Sequence, residues 1–318
     1  MNTPPDGMTE LPWIGAAEMA SLLPMAEAVD AVDAALRGGL DPSAEPARSR
    51  VDTANGHLLL MPSEGAEFVG VKIASVTPAN PARGLPRIQA GYLLFDAPTL
   101  TPLALLDGAG LTALRTPALS ATAGRHLARS DAHRLVVFGT GPQARAHVEA
   151  LSAVRPIDEV TVIGRDPGRA APLVEALADA GVTAREGSRA DVADADIVVC
   201  ATSSKEPVFD GMVLLDAACV LACGSHEPEA RELDNAVMAR GYVVVEDAAT
   251  ALRETGDVIG AVADGALQPE ALVGLANVVT GRSAVPDDRP RVFTSVGMAW
   301  EDLAVAAEVY RRRRDYRA

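Results

Sequence analysis

Apolar and polar positions follow two different rhythms along the chain, and the change comes near residue 130. Before it, apolar residues recur at helical spacing from Leu22 to Leu36 (Ala26, Val29, Val32, Ala35, Leu36), with Pro24 at the first turn. Asp41–Pro46 reads as a turn-rich linker. His57–Met61, Phe68–Val76 and Gly91–Phe95 read as strands. Between the last two lies Thr77–Arg87, where Pro78, Pro81, Gly84 and Pro86 predict a long, stiff loop of the kind that shapes a site. Leu111–Arg129 predicts a long helix dense in small residues, and Pro117 inside it should kink the helix or mark a restart.

From Arg134 short apolar runs alternate with helical segments. Leu135–Phe138, Glu159–Ile163, Ile197–Ala201, Cys219–Cys223 and Tyr242–Val245 have strand length, and Gln143–Val154 and Arg169–Ala180 have helical spacing. Uninterrupted apolar strands between helices indicate a parallel sheet covered on both faces, so residues 125–291 read as a doubly wound α/β domain. Met298–Arg314 reads as a final helix, with Ala and Leu along one side and Arg311–Arg314 at its C-terminal end, where positive charge complements the helix dipole.

Composition narrows the function classes. The 318 residues carry 28 Lys+Arg against 43 Asp+Glu, a net charge of −15, and only 3% are aromatic. That balance excludes a basic face for phosphate backbones and a stacking platform for single strands, so no nucleic-acid partner is expected. The three cysteines, Cys200, Cys219 and Cys223, form no framework and read as core thiols of a reducing compartment. Neither they nor the five histidines have metal-ligand spacing, so no metal site is expected. Met1–Leu11 is polar and proline-rich, without a leader pattern, and no run of about 18 apolar residues suggests a membrane span. The expected location is cytoplasmic.

The stretch richest in chemistry is Leu135-Val-Val-Phe-Gly139-Thr140-Gly141-Pro142-Gln143-Ala144. It is a strand, a GxGxxA turn and a helix start, the fingerprint of a Rossmann dinucleotide site. Gly139 permits the tight turn, Gly141 lets backbone approach a pyrophosphate, and Ala144 lets helix and strand pack closely. The helix N-terminus offers free N–H groups and positive dipole to the phosphates. The next strand ends in Arg165-Asp166. A carboxylate there suits the ribose hydroxyl of NAD and an arginine suits the extra phosphate of NADP; with Arg165 first, NADP is favoured over NAD.

Hydride transfer needs a substrate anchor and a proton source besides the cofactor. In the first domain the candidate cations are Lys72, Arg115 and one of Arg48 and Arg50, both placed in a loop. Lys72 lies mid-strand between Val71 and Ile73, and alternation alone allows either a solvated lysine or a buried, perturbed one. Composition does not choose between Arg48 and Arg50, or between a surface and a cleft role for Arg115.

Several stretches together resemble the ornithine cyclodeaminase/μ-crystallin family over about Arg48–Tyr310: Leu59-Leu-Met-Pro62, Gly70-Val-Lys72, Asn80-Pro-Ala-Arg-Gly84-Leu-Pro86, Asp107-Gly, Leu111-Thr-Ala-Leu-Arg115-Thr, Gly139-Thr-Gly-Pro-Gln143-Ala, Arg231-Glu-Leu-Asp234 and Ser295-Val-Gly-Met-Ala-Trp-Glu-Asp302-Leu. The resemblance implies a Rossmann domain (125–291) and a smaller α+β substrate and dimerisation domain built from both chain ends (1–124 and 292–318). It implies a homodimer in which strands of both subunits close a shared barrel-like core. It matches Lys72 to the active-site lysine, and Arg115 and Arg48, not Arg50, to the arginines that hold the substrate carboxylate. Thr202, Ser203 and Ser225 then fall near the nicotinamide, at the carboxyl ends of the strands.

One departure bears on the reaction. Family members that cyclise ornithine, and related alanine dehydrogenases, carry an Asp where this chain has His226, in Ala222-Cys-Gly-Ser225-His226-Glu227-Pro228. Histidine shuttles protons near neutral pH but supplies no fixed negative charge for an ammonium group. The resemblance therefore implies NAD(P)H-dependent reduction of a cyclic ketimine carboxylate, Δ1-pyrroline-2-carboxylate or Δ1-piperideine-2-carboxylate, to proline or pipecolate. Lys72 and His226 are the proton-handling candidates, and Asp302 and Glu227 the candidate counter-charges. The alternatives are ornithine cyclodeaminase, alanine dehydrogenase, and a crystallin-like binding protein without turnover.

Overall fold

The computed structural model describes residues 11–166 and 168–317. Apart from Leu11, the polar N-terminal stretch read above lies outside them. The chain begins with β1 (Trp13–Ile14), α1 (Ala16–Leu22) and α2 (Met25–Arg37), followed by β2 (Ser49–Thr53), β3 (Gly56–Glu64), β4 (Phe68–Val76), β5 (Ile88–Asp96), β6 (Pro102–Asp107) and α3 (Gly108–Leu127). Next come β7 (Arg134–Phe138), α4 (Pro142–Ser152), β8 (Glu159–Ile163), α5 (Ala171–Asp179), β9 (Ala184–Glu186), β10 (Ile197–Cys200) and β11 (Cys219–Ala222). The remainder is α6 (Asn235–Arg240), β12 (Tyr242–Val245), α7 (Ala248–Glu254), α8 (Gly256–Ala263), β13 (Val273–Gly274), α9 (Leu275–Val279), β14 (Arg291–Thr294) and α10 (Ala299–Arg317). These elements form two compact units, Met1–Val32 with Ala44–Arg115 and Met298–Ala318, and Asp33–Ser43 with Thr116–Gly297.

The first unit holds one sheet in the order β1-β6-β5-β4-β3-β2, antiparallel except for the parallel β1–β6 pair. Helix α10 packs on β3, β4 and β5. In β4 the face carrying Phe68, Gly70, Lys72, Ala74 and Val76 is buried, while Ile73 on the other face is 43% exposed. Alternation thus runs opposite to polarity: the lysine is inside and the isoleucine outside, which overturns the solvated reading of Lys72. Ser49–Thr53 corrects the loop expected around Arg50. It is the edge strand β2, exposed along its whole length, and alternates too little in hydrophobicity to announce itself. Arg48 lies just before its first residue. The proline loop is closed by Thr77 N–H donating to Arg87 O at 2.8 Å, and Asn80 Nδ2 donates to Pro86 O at 3.1 Å.

The second unit is an eight-stranded sheet in the order β13-β12-β14-β11-β10-β7-β8-β9, with every pairing parallel. Strand order runs one way from β7 through β8 and β9, and the other way from β7 to β10, so the switch point lies at β7. Strands β10 and β11 are buried throughout, which is why they read as continuous apolar runs. Strand β14 escaped that reading because Arg291 and Thr294 bracket only two apolar residues. Both are buried nonetheless, and Arg291 Nε donates to Leu127 O at 3.0 Å. Helix α3 continues through Pro117 without a restart.

Candidate active site

In the first unit, Lys72 and Arg115 meet over one carboxylate. Lys72 Nζ lies 2.7 Å from Asp302 Oδ2, and Arg115 Nε donates to Asp302 Oδ1 at 3.1 Å. Arg115 Nη1 also donates to Glu301 Oε2 at 2.5 Å. All four side chains are buried. Each element presents its residue for a local reason. Lys72 occupies the inner face of β4, directly opposite Met61 on β3 and Tyr92 on β5. Arg115 lies on α3, two turns from the helix start, among small residues that leave it room. Glu301 and Asp302 sit in the first turn of α10, where acidic groups suit the dipole. Glu301 Oε1 accepts the Met298 N–H at 2.7 Å, the backward half of a capping box, so this residue both caps the start of the helix and grips Arg115.

Two cations and two carboxylates balance in charge, and burial then decides the lysine's acidity. Loss of hydration pushes the Lys72 ammonium down to about 8, and the nearby Arg115 charge pushes the same way; Asp302 and Glu301 push back. Lys72 is therefore poised to give up a proton close to neutral pH. Its Nζ also donates to Thr112 Oγ1, 3.4 Å away, and that hydroxyl donates to Gly108 O at 2.8 Å. Facing Lys72 across the sheet, Tyr92 leans over Gly70, where any Cβ would fall 1.8 Å from the phenol oxygen. The Gly70-Val-Lys72 pattern thus has a steric cause. Arg48 is half-buried.

In the second unit the glycine turn has the cradle that a dinucleotide needs. Gly139 takes φ 119°, and a Cβ there would lie 2.4 Å from Ala201 O. A Cβ on Gly141 would meet nothing within 4 Å, so the space in front of the helix is open. Gly141 is the N-cap of the 11-residue helix α4, with Pro142 at its first position, and Ala144 is fully buried where the helix meets the sheet. Thr140 and Gln143 flank the turn and are half-buried. Arg165 and Asp166 follow β8 and are exposed, with Arg165 Nε 3.7 Å from Asp166 Oδ2. The residues present fit a dinucleotide, whose pyrophosphate the glycine turn would take and whose ribose Arg165–Asp166 would meet.

Thr202, Ser203 and Ser225 follow the carboxyl ends of β10 and β11. Ser225 is buried, with its hydroxyl 3.5 Å from Thr294 Oγ1, and Ser203 is exposed. His226 is exposed in the loop after β11, and Glu227 beside it is half-buried. Cys200 and Cys219 are buried, and burial pushes both thiols up, Cys219 to about 12. Sequence reasoning missed Glu301 and Thr112, whose roles depend on helix phase, and Glu232, which hides in a polar run. Among the described residues no cluster of His, Cys, Asp or Glu is placed to hold a metal.

Residues 14–316 match the model of the ornithine cyclodeaminase/mu-crystallin family. The chain belongs to that family. A Bacillus thuringiensis protein named delta(1)-pyrroline-2-carboxylate reductase is 35% identical over 311 residues, which is 94% of this chain and 95% of that one. The structure of the Thermococcus litoralis delta(1)-pyrroline-2-carboxylate reductase, in complex with NADH and L-proline, superposes with a TM-score of 0.88 at 30% identity, covering 96% of this chain and 98% of the other. An archaeal alanine dehydrogenase dimer with bound NAD superposes with a TM-score of 0.89 at 28% identity, covering 97% of each chain. Family membership accounts for the pairing of a Rossmann-type sheet with a second, mixed sheet in one chain.

Proposed function

We propose that this protein is an NAD(P)H-dependent reductase of cyclic ketimine carboxylates, with Δ1-pyrroline-2-carboxylate or Δ1-piperideine-2-carboxylate as substrate. The observation that carries this reading is the buried, charge-balanced quartet of Lys72, Arg115, Glu301 and Asp302. A protonated ketimine carboxylate is a zwitterion. It adds no net charge to a neutral, desolvated site, whereas a second carboxylate without its own cation would. Relatives named for this reaction over most of the chain support the same substrate class.

In the proposed reaction the bound reduced nicotinamide supplies a hydride to the imine carbon. The substrate carboxylate is held by Arg115 and Arg48. Lys72 keeps a proton at the imine nitrogen, which makes the adjacent carbon electrophilic; the proton stays on the product amine. Asp302 holds the lysine and arginine in place and offsets their repulsion. Gly139–Ala144 seats the pyrophosphate, and Thr202, Ser203 and Ser225 line the nicotinamide end. His226, in a position that gives no fixed negative charge, favours an imine over an ammonium substrate. Arg165 supports NADP, and Asp166 beside it makes room for NAD as well.

We place the functional unit as a homodimer. The outer face of the first unit's sheet exposes Trp13 (58%), Val51 (47%), Ile73 (43%) and Leu105 (37%), apolar residues that a second copy would cover. Among the described residues no helix is long and apolar enough to cross a membrane.

The test is loss of reduced-nicotinamide absorbance with NADH and NADPH against pyrroline-2-carboxylate, piperideine-2-carboxylate, and pyruvate with ammonia. L-ornithine with NAD runs beside it, read by proline and ammonia formed. Turnover of a cyclic imine without ornithine conversion is expected. Proline from ornithine, or alanine formed faster than either cyclic amino acid, would replace this reading with the corresponding relative's chemistry.

A further inference from the structure

Beneath the loops after β10 and β11 lies a carboxylate that the proposed reaction does not use. Glu232 is fully buried, in the Arg231-Glu-Leu-Asp234 stretch. Its Oε1 accepts from Thr202 N–H at 2.7 Å and from Thr202 Oγ1 at 2.6 Å, while Oε2 accepts from Gly224 N–H at 2.6 Å. One side chain thus ties two loops that follow adjacent parallel strands. The approach is close enough to exclude any side chain at position 224, where a Cβ would lie 2.1 Å from Thr202 O and 2.6 Å from Glu232 Cδ. The clamp is itself anchored: Asp257 Oδ1 accepts the Glu232 and Leu233 N–H groups at 2.8 and 2.9 Å, and Glu232 O accepts from Val208 N–H at 2.9 Å.

We propose that Glu232 is a positioning residue whose ionised carboxylate holds the 202–204 and 223–225 loops in the arrangement that receives the nicotinamide cofactor. The inference rests on the reading above that Thr202, Ser203 and Ser225 line that cofactor. Three donors converge on the carboxylate, so only its ionised form accepts all of them without bringing a proton of its own into the cluster. Burial pushes the Glu232 carboxyl up to about 7, and the neighbouring Asp257 charge adds to the rise; the hydrogen bonds from Thr202 and Gly224 oppose it. The other titratable groups around it do not take over this role. Burial also raises the Asp257 carboxyl, against the pull of Arg231, and the Cys200 thiol is pushed well above its ordinary value. The loops should therefore loosen as pH falls through about 7.

The experiment measures the NADH dissociation constant by nicotinamide fluorescence from pH 6 to 8.5, for the full-length protein and for Glu232→Gln. Amide protection factors at Thr202 and Gly224 are followed in parallel. NADH is the probe because it lacks the titrating 2′-phosphate of NADPH. In the variant a donor NH2 replaces one acceptor oxygen and confronts an N–H group. At pH 8.5 the variant should bind NADH about tenfold more weakly, as expected for loss of a charge-assisted hydrogen bond. Wild-type affinity should fall several-fold toward pH 6 while the variant stays flat, and the two amides should lose protection in step. The wild-type pH series needs no substitution, so it stands even if the variant folds poorly. Equal affinity and equal pH slope in the two proteins would overturn the proposal. Failure of the wild type to bind either NADH or NADPH would instead remove the cofactor reading on which it rests, a separate and visible outcome.

Discussion

Lys72 Nζ and Asp302 Oδ2 are 2.7 Å apart in a buried ion pair whose carboxylate also holds Arg115 through its other oxygen. Removing the charge of Asp302 leaves the buried Lys72 ammonium without its carboxylate, beside an Arg115 that keeps only Glu301. An unpaired buried charge costs about 3–5 kcal/mol. Asp302→Asn should therefore lower the unfolding free energy by an amount of that order and reduce kcat/KM by at least about a hundredfold. NADH affinity should stay within about twofold, because the Gly139–Ala144 turn is untouched. Denaturant unfolding and steady-state kinetics check this; a stable variant with full activity would remove Asp302 from the site.

The acidity of Lys72 sets a pH limb. With its ammonium pushed down to about 8, the charged form predominates below that value and is lost above it. If Lys72 keeps the proton on the imine, kcat/KM should be level near pH 7 and fall tenfold per unit well above pH 8. Stability carries the opposite sign. The unfolded lysine holds its proton to about 10.4, so the folded state releases it first and gains stability between about pH 8 and 10. Lys72→Met should abolish both the catalytic limb and that gain. A wild-type profile flat to pH 10 would show that Lys72 does not carry the proton.

Much of this architecture is legible in the chain because parallel strands covered on both faces must be apolar throughout. Strands β7, β8, β10, β11 and β12 announce themselves for that reason. Strand β14 does not, since Arg291 satisfies its guanidinium on backbone carbonyls inside the fold, which no local pattern reveals. The edge strand β2 is exposed along its length and follows no apolar rhythm. At the site, the glycine turn can be read because each glycine answers a local steric demand. Asp302, a candidate counter-charge from the sequence, does meet Lys72 and Arg115, but Glu301 faces Arg115 only through the phase of α10, 186 residues away in sequence. Alternation alone leaves Lys72 open, because a buried lysine with a partner carboxylate breaks the rule that polar residues face water.

Cofactor choice should turn on two exposed neighbours. Arg165 and Asp166 lie side by side after β8, the first able to meet a 2′-phosphate and the second a ribose hydroxyl. Arg165→Ala should raise KM for NADPH about tenfold and leave KM for NADH within twofold. Asp166→Ala should weaken NADH selectively. Initial rates with both nucleotides decide it; equal losses for the two in the arginine variant would mean that Arg165 serves the adenine they share.

The outer sheet face makes a prediction about assembly. Ile73 is 43% exposed at the middle of β4, on the face opposite Lys72. A charge there costs little in a monomer but would be buried on both sides of a two-fold interface. Ile73→Glu should shift the protein from dimer to monomer in sedimentation velocity while leaving the secondary structure seen by circular dichroism unchanged. A wild type that already sediments as a monomer would rule out this face as a constitutive interface.

Tyr92 gives the sharpest test of packing against function. Its hydroxyl is buried and has no hydrogen-bond partner among the described residues, and burial, with the nearby Asp302 charge, pushes its pKa well above the ordinary value, so it stays a neutral phenol. A buried, unsatisfied hydroxyl costs about 1–3 kcal/mol. Tyr92→Phe removes that cost and keeps the ring over Gly70, so the melting temperature should hold or rise. Gly70→Ala should be destabilising, since its methyl would overlap the phenol oxygen. Adding Tyr92→Phe should recover only part of the loss, because the Cβ would still lie 2.4 Å from Tyr92 Cζ. If Tyr92→Phe instead lowers the melting temperature, the hydroxyl has a partner in solution, and a matching fall in kcat would make it part of the reaction.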